Sequence, residues 1–255
     1  MTTRRVKGSA SSEVVADPDA VKSLCHACSN HARCAFAERV ERTSHDSESR
    51  VMMLTIRHGC ALFHEGMPLI GSYIVCKGLV AQYASESRGR GVCIHGRGAS
   101  PDLVDNLTGA SYHRSSAIAV GDVVVAFLPE LESQMRAEMH GLNMITVLRQ
   151  TARQARILEE RLIHGRALGS YERVAELFRG MIEASESTLP SEGPLSVPMD
   201  RPLFATFTGM MPETFSRAMT RLQKHGLVIH SHGILTFPRP DQLCRLTREG
   251  IATSG

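Results

Sequence analysis

The chain has 255 residues, 42% hydrophobic and 22% charged, with a net charge of +3 at pH 7. That supplies apolar material for two cores and excludes a chain disordered throughout. The longest apolar runs, such as 123–128, are far too short to span a bilayer, and the first residues lack the apolar stretch of a signal peptide, so a cytoplasmic protein with no membrane partner is expected. The net charge permits nucleic-acid binding without arguing for it, but its distribution is uneven: Arg217, Arg221, Lys224, Arg239, Arg245 and Arg248 crowd the C-terminal end.

Residues 1–20 are polar and without period, which predicts a disordered tail. Next come Cys25, Cys28 and Cys34, spaced C-x2-C-x5-C. Seven cysteines, an odd number, do not make a disulfide framework in a reducing compartment, so the clustered ones point to metal or redox work. Thiolates in so short a loop can wrap one soft or borderline centre, either zinc, closed by a histidine, or iron–sulfur. Cys60, Cys76, Cys93 and Cys244 are expected to be small buried residues.

From 51 to 128 short apolar runs (51–56, 61–63, 72–76, 79–83, 92–94, 117–120 and 123–128) alternate with glycines, among them Gly59, Gly66, Gly78, Gly98 and Gly121. This is the punctuation of an antiparallel barrel or sandwich. Beyond Pro129 the period becomes helical, with apolar residues from Leu131 to Leu162 recurring every three or four positions. A stripe that long predicts one helix packing on its twin in a second chain. Gly165 and Gly169 break it, placing a domain boundary near residue 167, and 171–184 reads as another amphipathic helix. After a polar loop over 185–194, two short helices over 201–207 and 212–225 are joined at Thr208-Gly-Met-Met211, a helix-turn-helix signal. Runs at 227–229 and 234–237 around His230-Ser-His-Gly233 predict a hairpin, the wing.

Within 212–225, Phe215, Met219 and Leu222 form an inward stripe. Glu213, Ser216 and Arg217, at i, i+3 and i+4, share one outward face of the first turns, the part of a recognition helix that enters the major groove. Arginine can donate two bonds to guanine, glutamate can accept from a cytosine amino group, and serine can meet a neighbouring base. Arg221 and Lys224 are placed for phosphates. An iron–sulfur or thiol enzyme is the competing class. It would need paired acids, a nucleophile with its base or a phosphate-binding glycine loop, and neither Gly-x-Gly-x-x-Gly opening a helix nor Gly-Lys-Ser/Thr occurs.

Gly209-x-x-x-Glu-Thr-x-Ser-Arg-x-x-x-Arg-Leu-Gln-Lys-x-Gly226 resembles the helix-turn-helix of the CRP/FNR transcription regulators, in its FNR-type Glu-x-x-Ser-Arg form. Met211 departs from the family's helix-capping threonine, and Pro202 falls near the start of the preceding helix. The resemblance covers roughly 25–250 and implies an α+β fold: a disordered tail (1–20), a cysteine loop with a cyclic-nucleotide-binding-like β-roll (21–129), a dimerisation helix (130–166) and a winged helix-turn-helix (167–255). It implies a homodimer on double-stranded DNA, a TTGAT-N4-ATCAA-like target, RNA polymerase as the partner of regulation, and no catalytic activity. Cys25, Cys28 and Cys34 match the spacing by which FNR-type members hold an oxygen-labile [4Fe-4S] cluster, so oxygen, nitric oxide or redox state is the implied signal, with a structural zinc or a degenerate site as the alternative. The family's fourth ligand lies in the strand leading to the dimerisation helix, where this chain has Val123-Val-Val125. Asp122 and Cys93 are the leading substitutes, followed by Cys60, Cys76, His26 or His31, a non-protein ligand, and a degenerate site. Arg114-Ser115 is similar to the phosphate-binding pair of CRP-type rolls, but Pro101-Asp-Leu103 replaces the Gly-Glu-Leu that normally precedes it.

Overall fold

The computed structural model describes residues 13–15, 23, 25–28, 31, 34, 37, 51–84, 93–129, 144–164, 169–186 and 195–249. The N-terminal half is one antiparallel sheet of strands β1 (Glu13–Val15), β2 (Met52–Ile56), β6 (Ser116–Pro129), β4 (Gly71–Tyr83) and β5 (Cys93–His95) in that spatial order, with β3 (Ala61–Phe63) also paired to β6. A five-residue helix α1 (Leu103–Leu107) precedes β6. Helix α2 (Met144–His164) leads to α3 (Ser170–Glu186). The C-terminal part adds α4 (Arg201–Thr208), α5 (Pro212–Lys224) and α6 (Pro240–Glu249) around a small sheet in the order β7 (Ser196–Pro198), β9 (Ile234–Thr236), β8 (Ile229–Ser231).

The sheet departs from the expected punctuation. Residues 72–76 and 79–83 lie within one 13-residue strand, and 117–120 with 123–128 within one of 14. Gly78 and Gly121 are irregularities inside these strands rather than turns between them. Both have positive φ, +87° and +81°, and a Cβ on Gly78 would stand 2.7 Å from the Asp122 carbonyl oxygen, so the two strands close up only because that side chain is missing. Strand β1, which pairs Val14 with Leu54, corrects the expectation of a structureless tail at 13–15. Residues 130–143 of the expected long helix, the boundary at 167 and most of the loop over 185–194 lie outside the described residues.

Strand alternation sorts the long pair β4–β6 into faces. Val75, Val80, Ala117, Ala119, Val123 and Val125 point into the roll with Ile56 and Phe63. On the outer face, two apolar patches lie either side of the glycine irregularity. One holds Ile74, Ala126 and Leu128 with Leu103 of α1 and Val147 of α2. The other, Leu79, Ala81, Ile118 and Val120, is continuous with the core of the C-terminal part, where Phe178, Phe204, Phe215 and Phe237 are fully buried.

Candidate nucleic-acid interface and cysteine site

Helix α4 starts on Asp200, whose Oδ1 accepts the Leu203 N–H at 2.9 Å. Pro202 sits in the first turn, where a missing donor costs nothing. Gly209, left-handed at φ 62°, closes the helix and turns the chain toward α5. Met211 occupies the N-cap of α5 with no side-chain bond to the helix end and is 69% exposed, so the cap costs about 1 kcal/mol relative to threonine. Phe215, Ala218, Met219 and Leu222 are buried, and the Phe215 ring meets Phe204 of α4 edge-on at 6.3 Å. This packing leaves Glu213 and Arg217 exposed and Ser216 half-buried. Arg217 Nη2 donates to Thr214 Oγ1 at 3.4 Å. Lys224 is exposed; Arg221 is exposed too, with its guanidinium carbon 4.4 Å above the Tyr171 ring of α3. Tyr171 is a support that sequence reading missed, because the pair spans fifty positions. In the wing, His232 and Gly233 both have positive φ, 50° and 75°, the geometry of a two-residue hairpin turn. β8 begins two residues later than expected because Leu227 and Val228 are buried in the core.

The cysteine segment is a ladder of three-residue turns. Cys28 N–H donates to the Cys25 carbonyl (3.1 Å), His31 to Cys28 (3.0 Å), Cys34 to His31 (3.1 Å) and Ala37 to Cys34 (3.5 Å). Bonds of this spacing stack residues three apart on one side, so Cys25, Cys28, His31 and Cys34 share an edge, and His26 stacks on His31 at 5.4 Å. Cys25 and Cys34 pack on the first outer patch, together with Cys76 and Val124. Burial pushes the Cys76 thiol up to about 12, and the nearby Cys34, Cys28 and Cys25 add to the rise; the thiol donates to the Ile74 carbonyl at 3.7 Å. Among the described residues no three His, Cys, Asp or Glu side chains stand close enough to hold a single ion. The thiols are neighbours on one patch rather than corners of a closed tetrahedron. As a donor set they fit a thiolate-ligated cluster: soft sulfurs gathered over an apolar floor.

The leading fourth-ligand candidates are elsewhere. Asp122 Oδ1 accepts the His58 backbone N–H at 3.2 Å. It lies two residues from Val124, which pairs next to Cys76, about 7 Å along the strand. Cys93 pairs with Gln82 at the far end of β4, about 20 Å from Cys76 at the same rise per residue. Cys60 packs on the roll interior and Cys244 on the C-terminal core. Arg114 is met by its own acid: its Nε donates to Asp105 Oδ1 at 3.1 Å and its backbone N–H to Oδ2 at 3.2 Å.

Residues 172–246 match the Crp-like helix-turn-helix domain, and that segment contains α4, the turn, α5 and the wing. Three solved structures of the same overall architecture are FixK2 from Bradyrhizobium japonicum (22% identity over 77% of this chain and 96% of that one, TM-score 0.55), a CRP/FNR-family transcriptional regulator from Thermus thermophilus (17%, 77% and 98%, 0.53) and the c-di-GMP-responsive global regulator CLP from Xanthomonas campestris (14%, 72% and 92%, 0.54). The sequence matches none of the curated proteins with which it was compared. The fold is therefore α+β, a sheet-rich N-terminal domain of the cyclic-nucleotide-binding-like kind followed by the Crp-like domain. A polar link joins the two beside the glycine irregularity. His58 Nδ1 accepts the Gly121 N–H at 3.1 Å, so Nε2 carries the proton, and it faces Asp200 Oδ2 at 3.6 Å. Asp200 is thus both the cap of α4 and a polar contact of the Crp-like domain with the roll.

Proposed function

We propose that the protein is a DNA-binding transcription regulator of the CRP/FNR kind. It acts as a homodimer, reads a TTGAT-N4-ATCAA-like palindrome and, through RNA polymerase, answers to oxygen, nitric oxide or redox state sensed at Cys25, Cys28 and Cys34. The observation that carries the proposal is the face of α5 in a segment that matches the Crp-like domain: Glu213 and Arg217 stand free of the core beside Ser216, with a wing hairpin following in the chain. Arg217 would donate to a guanine and Glu213 would accept from a cytosine amino group, while Arg221, steadied on Tyr171, and Lys224 would meet phosphates.

Dimerisation is supported by α2, where Val147 is buried against the roll while Ile145 and Leu148 are each 63% exposed. Apolar side chains with the spacing i, i+3 on the solvent side of a helix gain by facing a second copy. At the cysteines, Cys25, Cys28 and Cys34 would hold a [4Fe-4S] cluster. Such a cluster would supply a redox-active, oxygen-labile group at the loop. Zinc is the rival occupant and would make the loop a staple.

Fluorescence anisotropy with the palindromic duplex and with a scrambled one tests the reading of bases. Arg217→Ala should cost about 1–3 kcal/mol on the palindrome and little on the scrambled duplex. An equal loss on both would refute base reading by this residue.

A further inference from the structure

We infer that Cys76, on β4, is the fourth thiolate of the cysteine site, an inference that rests on the cluster reading above. Two observations meet there. First, Cys76 packs on the apolar patch of Ile74, Ala126 and Leu128 that also carries Cys25 and Cys34. Second, Cys76 is the residue left over in the ladder: Val75 pairs with Val125 and Lys77 with Val124, with a register shift between them. A bulge of this kind frees one residue from pairing and re-aims its side chain.

The position also accounts for the valines on β6. Strands β4 and β6 are neighbours, and Cys76 lies beside the point where Val124 and Val125 pair. A ligand lost from one strand is therefore replaced from the next strand on the same outer face, with the loop still docked in the same place. Cys93 sits too far along β4 to serve without unmaking the sheet, and the Asp122 carboxylate is already engaged by the His58 N–H.

The test is anaerobic reconstitution of the full chain with ferrous iron and sulfide, read by iron and sulfide content, visible absorption and electron paramagnetic resonance. The proteins compared are the native chain, Cys28→Ser, Cys76→Ser, Cys76→Ala, Cys93→Ser and Asp122→Asn, with far-ultraviolet circular dichroism confirming that each is folded. The inference expects about four irons in the native chain. Cys93→Ser and Asp122→Asn should match it, and both folded Cys76 variants should lose the cluster or fall to a three-iron species. A folded Cys76→Ser or Cys76→Ala with native iron content and spectrum, while Cys28→Ser is empty, would overturn the inference and leave the cluster reading standing. A native chain that takes up zinc but no iron–sulfur chromophore would overturn both.

Discussion

Asp102 is fully buried at the start of α1, accepting the Ser100 hydroxyl at 2.6 Å and the Tyr73 N–H at 3.1 and 3.2 Å. Burial raises its carboxyl to about 7 from 3.8, although those bonds pull the other way. Between these two values the folded chain keeps a proton that the unfolded chain has released, so stability falls as pH rises across the interval. The slope is about 1.4 kcal/mol per pH unit, on the order of 4 kcal/mol in total, and it vanishes above pH 7, where both states are ionised. Asp102→Asn should remove this contribution. Urea melts of the two proteins at pH 5 and pH 8 should show the native chain losing about 3 kcal/mol more than the variant between them, and equal losses would contradict the assignment. By contrast, the Arg114–Asp105 pair has a guanidinium side chain that is 67% exposed and contributes little to stability.

Among the elements, α3 is the seam of the molecule, since it packs on β5 as well as on α5 and α6. Gly96, just past β5, shows how close the approach is: a Cβ there would stand 2.1 Å from the Ala184 carbonyl oxygen. Gly96→Ala must push helix and sheet apart, and a thermal melt should show a loss of about 1–3 kcal/mol; an unchanged midpoint would mean that the seam is loose. The helices α3, α4 and α5 were legible in the sequence because each carries a stripe of fully buried apolar residues. Helix α6 was not, since Leu243 is its only side chain described as buried, and α1 and β7 are too short for any period to show. The two long strands were misread as pairs because an irregularity and a turn use the same glycine. The cysteine triplet and the face of α5 could be read from local spacing alone. Cys76 could not, because its partnership depends on how two bulges set the register of β4 against β6, and no local pattern encodes that.

At the scale of the whole molecule, one strand pair carries everything that the proposed function must connect. The outer face of β4–β6 holds the cysteines and the head of α2 on one side of the glycine irregularity, and α3 with the Crp-like domain on the other. The His58–Asp200 contact lies beside the irregularity. In α2, the turn that buries Val147 under the cysteine patch also leaves Ile145 and Leu148 exposed, where the proposed dimer would place a second copy. A cluster gained or lost at the patch would thus act on the dimer helix by direct packing and on the reading head through one continuous sheet, with two arrangements of the dimer as the element it biases. The most direct measurement is the affinity of the anaerobically reconstituted protein for the palindromic and the scrambled duplex, taken before and after exposure to air, with Cys28→Ser in parallel. The account predicts a change on the order of tenfold on the palindrome when the cluster is lost, little change on the scrambled duplex, and no response to air in Cys28→Ser. Equal affinity for the palindrome with and without the cluster would contradict it.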